Sequence, residues 1–117
     1  IWKLYFDALK EITSKVGLPF IPAYATNNAH LFYLICKSET ERDNLIHYLK
    51  ERNIQAVFHY LPLHQSDFIK NSNQSQELFQ SQRFSITLIR LPLYFDMLID
   101  DVLEIVAAVK EFYNSNH

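Results

Sequence analysis

Glycine is almost missing from this chain: Gly17 is the one glycine among 117 residues. Phosphate and dinucleotide cradles depend on glycines, because backbone without a Cβ can bring its N–H groups close to the ligand. A P-loop or a dinucleotide-binding turn is therefore excluded, and any phosphate the protein handles must be gripped elsewhere. Cysteine is as rare. The lone Cys36 excludes an internal disulfide and suits a reducing compartment, hence an expected cytoplasmic location. A charge excess of either sign is also lacking. The formal net charge is −2, with acids and bases interleaved, so no basic patch offers nucleic acid a foothold. No apolar run approaches the roughly 20 residues of a membrane-spanning helix. The chain opens without an initiator Met and already in helical pattern, Ile1-Trp2-Lys3-Leu4-Tyr5-Phe6, so we expect a piece cut from within a longer protein.

What is present is apolar and aromatic. Hydrophobic residues make up 49% and aromatic residues 15%, which argues for a globular chain. The length fits one domain, 1–117, large enough to bury a core without staples.

Ile1, Leu4, Tyr5, Ala8, Leu9 and Ile12 recur at helical spacing. Gly17 is expected to close that helix in a left-handed cap, and Pro19 and Pro22 to prevent its continuation. Residues 19–28 then read as an extended crossing. A strand follows from His30 to Lys37, apolar on both faces and so expected to be central and covered on both sides. Ser38 with Glu41 forms a capping box that opens a helix to about Arg52, and Asn53 suits its left-handed end. Ile54 to Tyr60 reads as a second strand, Leu61 to His64 as a loop, and residues 75–84 as a short helix. Ile86 to Arg90 is a third strand stopped by Pro92. Val102, Ile105, Val106, Val109, Phe112 and Tyr113 mark a last helix, with Asp96, Asp100 and Asp101 where its dipole favours negative charge. This order predicts an α/β (α+β) two-layer sandwich with a small sheet and helices on one face.

Chemistry-bearing residues are few. His59, Tyr60 and His64 lie where the second strand runs into a proline-stiffened loop, a common place for ligand contacts. They read either as a pair of histidines and a phenol lining a polar pocket, or as a strand-end histidine, a solvated loop histidine and a core tyrosine. Arg90 reads either as a fork for a carboxylate or phosphate, or as the partner of a helix carboxylate. Cys36, His47, His59 and His64 supply zinc-type ligands, but their spacing fits no zinc pattern. Cys36 sits late in an apolar strand, where thiols are inert. His30 reads as a structural hydrogen-bonding residue. The lysines at 3, 10, 15, 37, 50, 70 and 110 fall on helix faces or element ends, and none is assigned covalent chemistry.

Three stretches in order, Asn28-Ala29-His30-Leu31-Phe32-Tyr33, His59-Tyr60-Leu61-Pro62-Leu63-His64 and Arg90-Leu91-Pro92-Leu93-Tyr94, resemble the C-terminal part of the DegT-type nucleotide-sugar aminotransferases. Within that family the likeness is to the TDP-4-oxo-6-deoxy-D-glucose transaminases, which form TDP-4-amino-4,6-dideoxygalactose. Trp2, Tyr5 and Leu9 are similar to the helix after the family's large domain. The resemblance implies the small C-terminal domain of a fold type I aminotransferase. A large domain absent from this chain would carry pyridoxal 5′-phosphate on a lysine, take nitrogen from glutamate and dimerise. No catalytic, cofactor-binding or metal-binding residue is then expected in this chain, which would bind no cofactor and be inactive alone. His59, Tyr60, His64 and Arg90 would face the substrate. Residues 65–82, rich in Asn, Gln and Ser, depart from the family pattern. The rival expectation is a non-catalytic ligand- or protein-binding module of the same fold. A self-contained hydrolase using His59 or His64 is the third reading. Removal of a large domain should also leave an apolar patch near Phe58, Leu61 and Leu63, or on the Trp2–Phe6 face.

Overall fold

The structure is a computed structural model that describes residues 1–20, 31–58 and 86–115. Helix α1 (Trp2–Leu9) tightens into a 3-10 turn at Lys10–Ile12, and Tyr5, Leu9 and Ile12 form its buried stripe. The apolar spacing read from the sequence is thus realised. Gly17, however, caps no helix. Its φ is not positive. It exchanges two backbone hydrogen bonds with Ile35, at 2.8 and 2.9 Å. A Cβ on Gly17 would lie 3.0 Å from the Cβ of Ile35. The glycine therefore serves a close approach of two backbones rather than a left-handed turn.

Strand β1 (Phe32–Ile35) leads to helix α2 (Glu39–Lys50), whose N-cap is Ser38. The Ser38 Oγ accepts from the Glu41 N–H at 3.1 Å, the half of the capping box that satisfies an orphan donor of the first turn. At the other end Asn53 adopts φ 61°, as its short polar side chain allows. Asn53 N–H donates to the Lys50 carbonyl at 3.0 Å and Ile54 N–H to the Leu49 carbonyl at 2.9 Å. That pair of bonds is a Schellman closure. It uses the Ile54 donor for the helix end, so strand pairing begins later than expected. Strand β2 is only Val57–Phe58, not Ile54 to Tyr60.

Ile86 and Thr87 retain helical backbone, and strand β3 spans Leu88–Leu91 rather than Ile86 to Arg90. Helix α3 (Ile99–Asn114) carries Asp100 and Asp101 in its first turn, where the N-terminal dipole favours them. The expected short helix at 75–84 lies outside the described residues.

Among the described residues the sheet has the order β1-β3-β2, with both pairings antiparallel. The central strand is therefore β3 and not β1. On its far side β1 meets only the Gly17 bridge to Ile35. Its second apolar face reflects partial cover: Phe32 and Leu34 are buried, whereas Tyr33 and Ile35 are half-buried. All three helices pack on the face made by Phe32, Leu34, Ile89 and Leu91. Tyr5 stacks on Phe32 at 5.0 Å between ring centroids, and Tyr48 meets Phe112 edge-on at 5.3 Å. The Tyr5 hydroxyl donates to the Pro92 carbonyl at 2.7 Å, so its polar end is satisfied. This is the two-layer α+β domain that the element order predicts.

Candidate functional site

The sheet has a second face, and strand alternation decides what lies on it. Ile89 and Leu91 turn to the helices, so Leu88 and Arg90 lie on the opposite side and are half-buried. Register adds the neighbours: Arg90 is the direct partner of Tyr33 on β1 and of Val57 on β2. One row across the sheet is thus Tyr33, Arg90, Val57. Strand β2 ends at Phe58, and the next residue is His59. His59, Tyr60 and His64 lie outside the described residues, as do His30, Leu61 and Leu63. Of the four expected substrate-facing residues the structure describes Arg90. The sequence reading passed over Tyr33. Its period-2 position was legible, but the register that sets it against Arg90 was not.

Cys36 is a structural group. It is buried beside Tyr113, with Sγ 3.6 Å from the phenol oxygen, and that phenol donates to Glu41 Oε1 at 2.7 Å. Burial pushes the Cys36 thiol up to about 11, against a partial lowering by the Tyr113 hydrogen bond. The same burial raises the Tyr113 phenol, helped by Cys36 and the Glu41 hydrogen bond. A protonated, enclosed thiol is no nucleophile. His47 is exposed on α2, with Nε2 3.2 Å from Glu51 Oε1. Among the described residues no group of three His, Cys, Asp or Glu could hold a metal ion. Nor is any helix of the described residues long and apolar enough to cross a membrane.

Two hollows flank the turn at residues 52–55. One, of about 580 Å³, runs between α2 and β2 and is walled by Ile46, Lys50, Ala56, Val57 and Phe58. The other, of about 500 Å³, is more polar, with Arg52, Asn53, Tyr94, Asp101 and Glu104 on its wall. Burial raises the Tyr5 phenol, and the charges of Tyr94 and Asp101 add to it. Neither hollow is walled by Arg90 or Tyr33.

The exposed apolar surface is not where the sequence reading put its larger share. Trp2 and Phe6 stack on each other at 5.3 Å and are packed against the core. Phe58 is 59% exposed, as expected, but Phe95, Leu98 and Ile99 are more exposed still.

The lysines of the described residues offer no site for a covalently held aldehyde cofactor. Lys15 donates to the Tyr113 carbonyl and to Asn114, Lys10 pairs with Asp7, and Lys110 pairs with Glu11. Lys3, Lys37 and Lys50 are exposed.

Comparison with known proteins fits this geometry. Residues 1–110 match the sequence profile of the DegT/DnrJ/EryC1/StrS aminotransferase family. An uncharacterized protein of Methanocaldococcus jannaschii is 26% identical over 99% of this chain and 31% of its own length. The dTDP-3-amino-3,6-dideoxy-alpha-D-galactopyranose transaminase of Aneurinibacillus thermoaerophilus is 32% identical over 80% of this chain and 26% of its own length. Among solved structures, S. venezuelae DesV in complex with a ketimine intermediate superposes with a TM-score of 0.79 at 24% identity, covering 94% of this chain and 30% of that one. The chain therefore spans about a third or less of the proteins it matches.

Proposed function

The chain belongs to the DegT/DnrJ/EryC1/StrS aminotransferase family, and on that premise we propose that it is the C-terminal domain of an enzyme that moves an amino group, drawn from glutamate, to a keto carbon of a TDP-linked 6-deoxyhexose. The observation that carries this reading is the family match over residues 1–110 in a chain about a third as long as its relatives. Pyridoxal 5′-phosphate is the cofactor of the family and supplies the electron sink for amino transfer.

The described residues do not fit that cofactor. No buried lysine stands ready to bind an aldehyde, and the sole glycine is spent against Ile35 rather than on a phosphate cradle. The cofactor lysine, its phosphate site and the proton-moving groups are assigned to a large domain of the same polypeptide. This domain contributes shape, exclusion of water and contacts to the bound substrate. Arg90, with His59, Tyr60 and His64 beyond the end of β2, forms the substrate-facing set. A second copy completes a homodimer, the enzyme is cytoplasmic, and its product enters cell-surface polysaccharide.

The carbon that is aminated has two readings. The motif likeness favours C-4, giving TDP-4-amino-4,6-dideoxygalactose. The Aneurinibacillus relative, named for a 3-amino product, favours C-3. The test is to express the full-length protein that contains this chain and supply pyridoxal phosphate, glutamate and each keto sugar nucleotide in turn. Conversion of one keto sugar to the amino sugar, seen by mass, supports the reading and fixes the carbon. The 117-residue chain alone should give no aldimine absorbance. Transamination by that chain alone, or a natural reading frame that starts at Ile1, would overturn the reading in favour of a self-contained module.

A further inference from the structure

The row Tyr33, Arg90, Val57 has a chemistry of its own. Residues directly opposed across antiparallel strands hold their Cβ atoms about 4.5–5.5 Å apart on one face. Tyr33 and Arg90 are such a pair, and Val57 opposes Arg90 from the other side. Phe32, Leu34, Ile89 and Leu91 turn to the helices, so this row lies on the other face, where Tyr33 and Arg90 are half-buried. None of the three strands contains an acidic residue. The guanidinium presents five N–H donors in a rigid planar fork, more than a single intramolecular partner uses. The phenol adds an O–H donor from the neighbouring strand. Its ring and the Val57 side chain supply apolar walls, which strengthen a charge-assisted hydrogen bond by lowering the local dielectric.

We propose that Tyr33 and Arg90 together read an oxyanion of the substrate, with Arg90 as the binding fork and Tyr33 as the residue that sets its selectivity. The inference rests on the aminotransferase reading above and adds to it a residue and a ligand chemistry. The same oxyanion chemistry is offered by two sources: a carboxylate of the amino donor and the diphosphate of the sugar nucleotide. A site built from donors that grip oxygen loses binding when one donor is removed, without any change in the bonds made and broken at the reacting carbon.

The experiment uses the full-length protein and measures its two half-reactions separately. The donor half is followed by loss of the cofactor aldehyde absorbance with glutamate. The sugar half starts from the amine form with the keto sugar nucleotide. Tyr33→Phe should raise KM about 3–10-fold in one half-reaction and leave kcat within about twofold. Arg90→Lys, which keeps the charge but loses the fork, should raise the same KM by about 10-fold or more. An effect in the donor half identifies the carboxylate; an effect in the sugar half identifies the diphosphate. Unfolding midpoints of both variants, compared with wild type, show that the domain stays folded. Tyr33→Phe within twofold of wild type in both halves overturns the proposal while leaving the aminotransferase reading intact. So does a loss of kcat at constant KM. A wild-type protein inactive in both halves overturns the reading and the proposal together.

Discussion

The two faces of one small sheet are under different constraints. On the helix side Phe32, Leu34 and Ile89 have no exposed surface. On the other side their immediate neighbours Tyr33, Leu88 and Arg90 are half-buried, and Val57 is exposed. Alternate positions a few ångströms apart along the same strand therefore do separate jobs: one parity holds the helices, and the other is left for contacts with what lies outside the described layer. The sharpest way to break this contrast is to remove a side chain from each face. Phe32→Ala deletes a ring that stacks on Tyr5 and touches Trp2. It should cost about 3–5 kcal/mol of folding stability. Arg90→Ala, one face away on the central strand, should cost about 1 kcal/mol or less, because its half-open site lets water replace lost contacts. Urea unfolding of both variants measures the difference. Equal losses would mean that the second face is structural as well, and the division of labour would fail.

A smaller effect sharpens the same contrast by asking what burial does to a titratable group on the closed side. Cys36 continues the buried parity of β1 and has its thiol pushed up from 9.0 to about 11, chiefly by burial. An unfolded thiol ionises near its ordinary value, so above pH 9 the unfolded chain gives up a proton that the folded chain keeps. The Cys36 contribution is then fully present below pH 9 and is lost as pH rises through about 11. Over that window wild type should lose about 1–2 kcal/mol more stability than Cys36→Ala, which has no thiol to ionise. Tyr5 and Tyr113 also titrate high, but they are common to both proteins and cancel in the difference. Parallel stability curves from pH 8 to 11 would show that the thiol is wetter than its burial indicates.

Much of this domain was legible before its structure. The helical stripes of α1 and α3, the Ser38 cap and the left-handed Asn53 follow from local rules that act within a few residues. The failures were all non-local. Gly17 was read as a helix cap because glycine tolerates positive φ, whereas its use is to let two backbone segments meet at Ile35. Strand β1 was read as central because both its faces are apolar, but which strand lies in the middle is a property of pairing, and the short, arginine-bearing β3 took that place. Arg90 was found as a candidate from its position before Leu91 and Pro92. Tyr33 was not, because only the register makes the two residues neighbours. His59, Tyr60 and His64 remain expectations from the strand-to-loop pattern and the family resemblance.

The smallest effect on stability belongs to the surface at the start of α3. This helix repeats the contrast of the sheet along its own length. Val106, Val109 and Phe112 are buried, while Leu98 and Ile99 at its entry are 66% and 63% exposed and Phe95 just before them is fully exposed. From residue 91 to residue 109 the sequence has no Lys, Arg or His, and Asp96, Asp100, Asp101 and Glu104 stand among these apolar groups. Such a surface adds little to folding, because its side chains touch water in both states. Phe95→Ser should therefore change unfolding free energy by about 0.5 kcal/mol or less. What it should change is association. Clustered apolar groups favour self-contact at high concentration, and the carboxylates oppose it by mutual repulsion, a term that salt screens. Sedimentation of the 117-residue chain should then show self-association that grows with salt and weakens in Phe95→Ser. A wild-type chain that stays monomeric at high concentration and high salt would show that the carboxylates alone do not hold the copies apart. The apolar cluster would then be too dispersed to act as a patch.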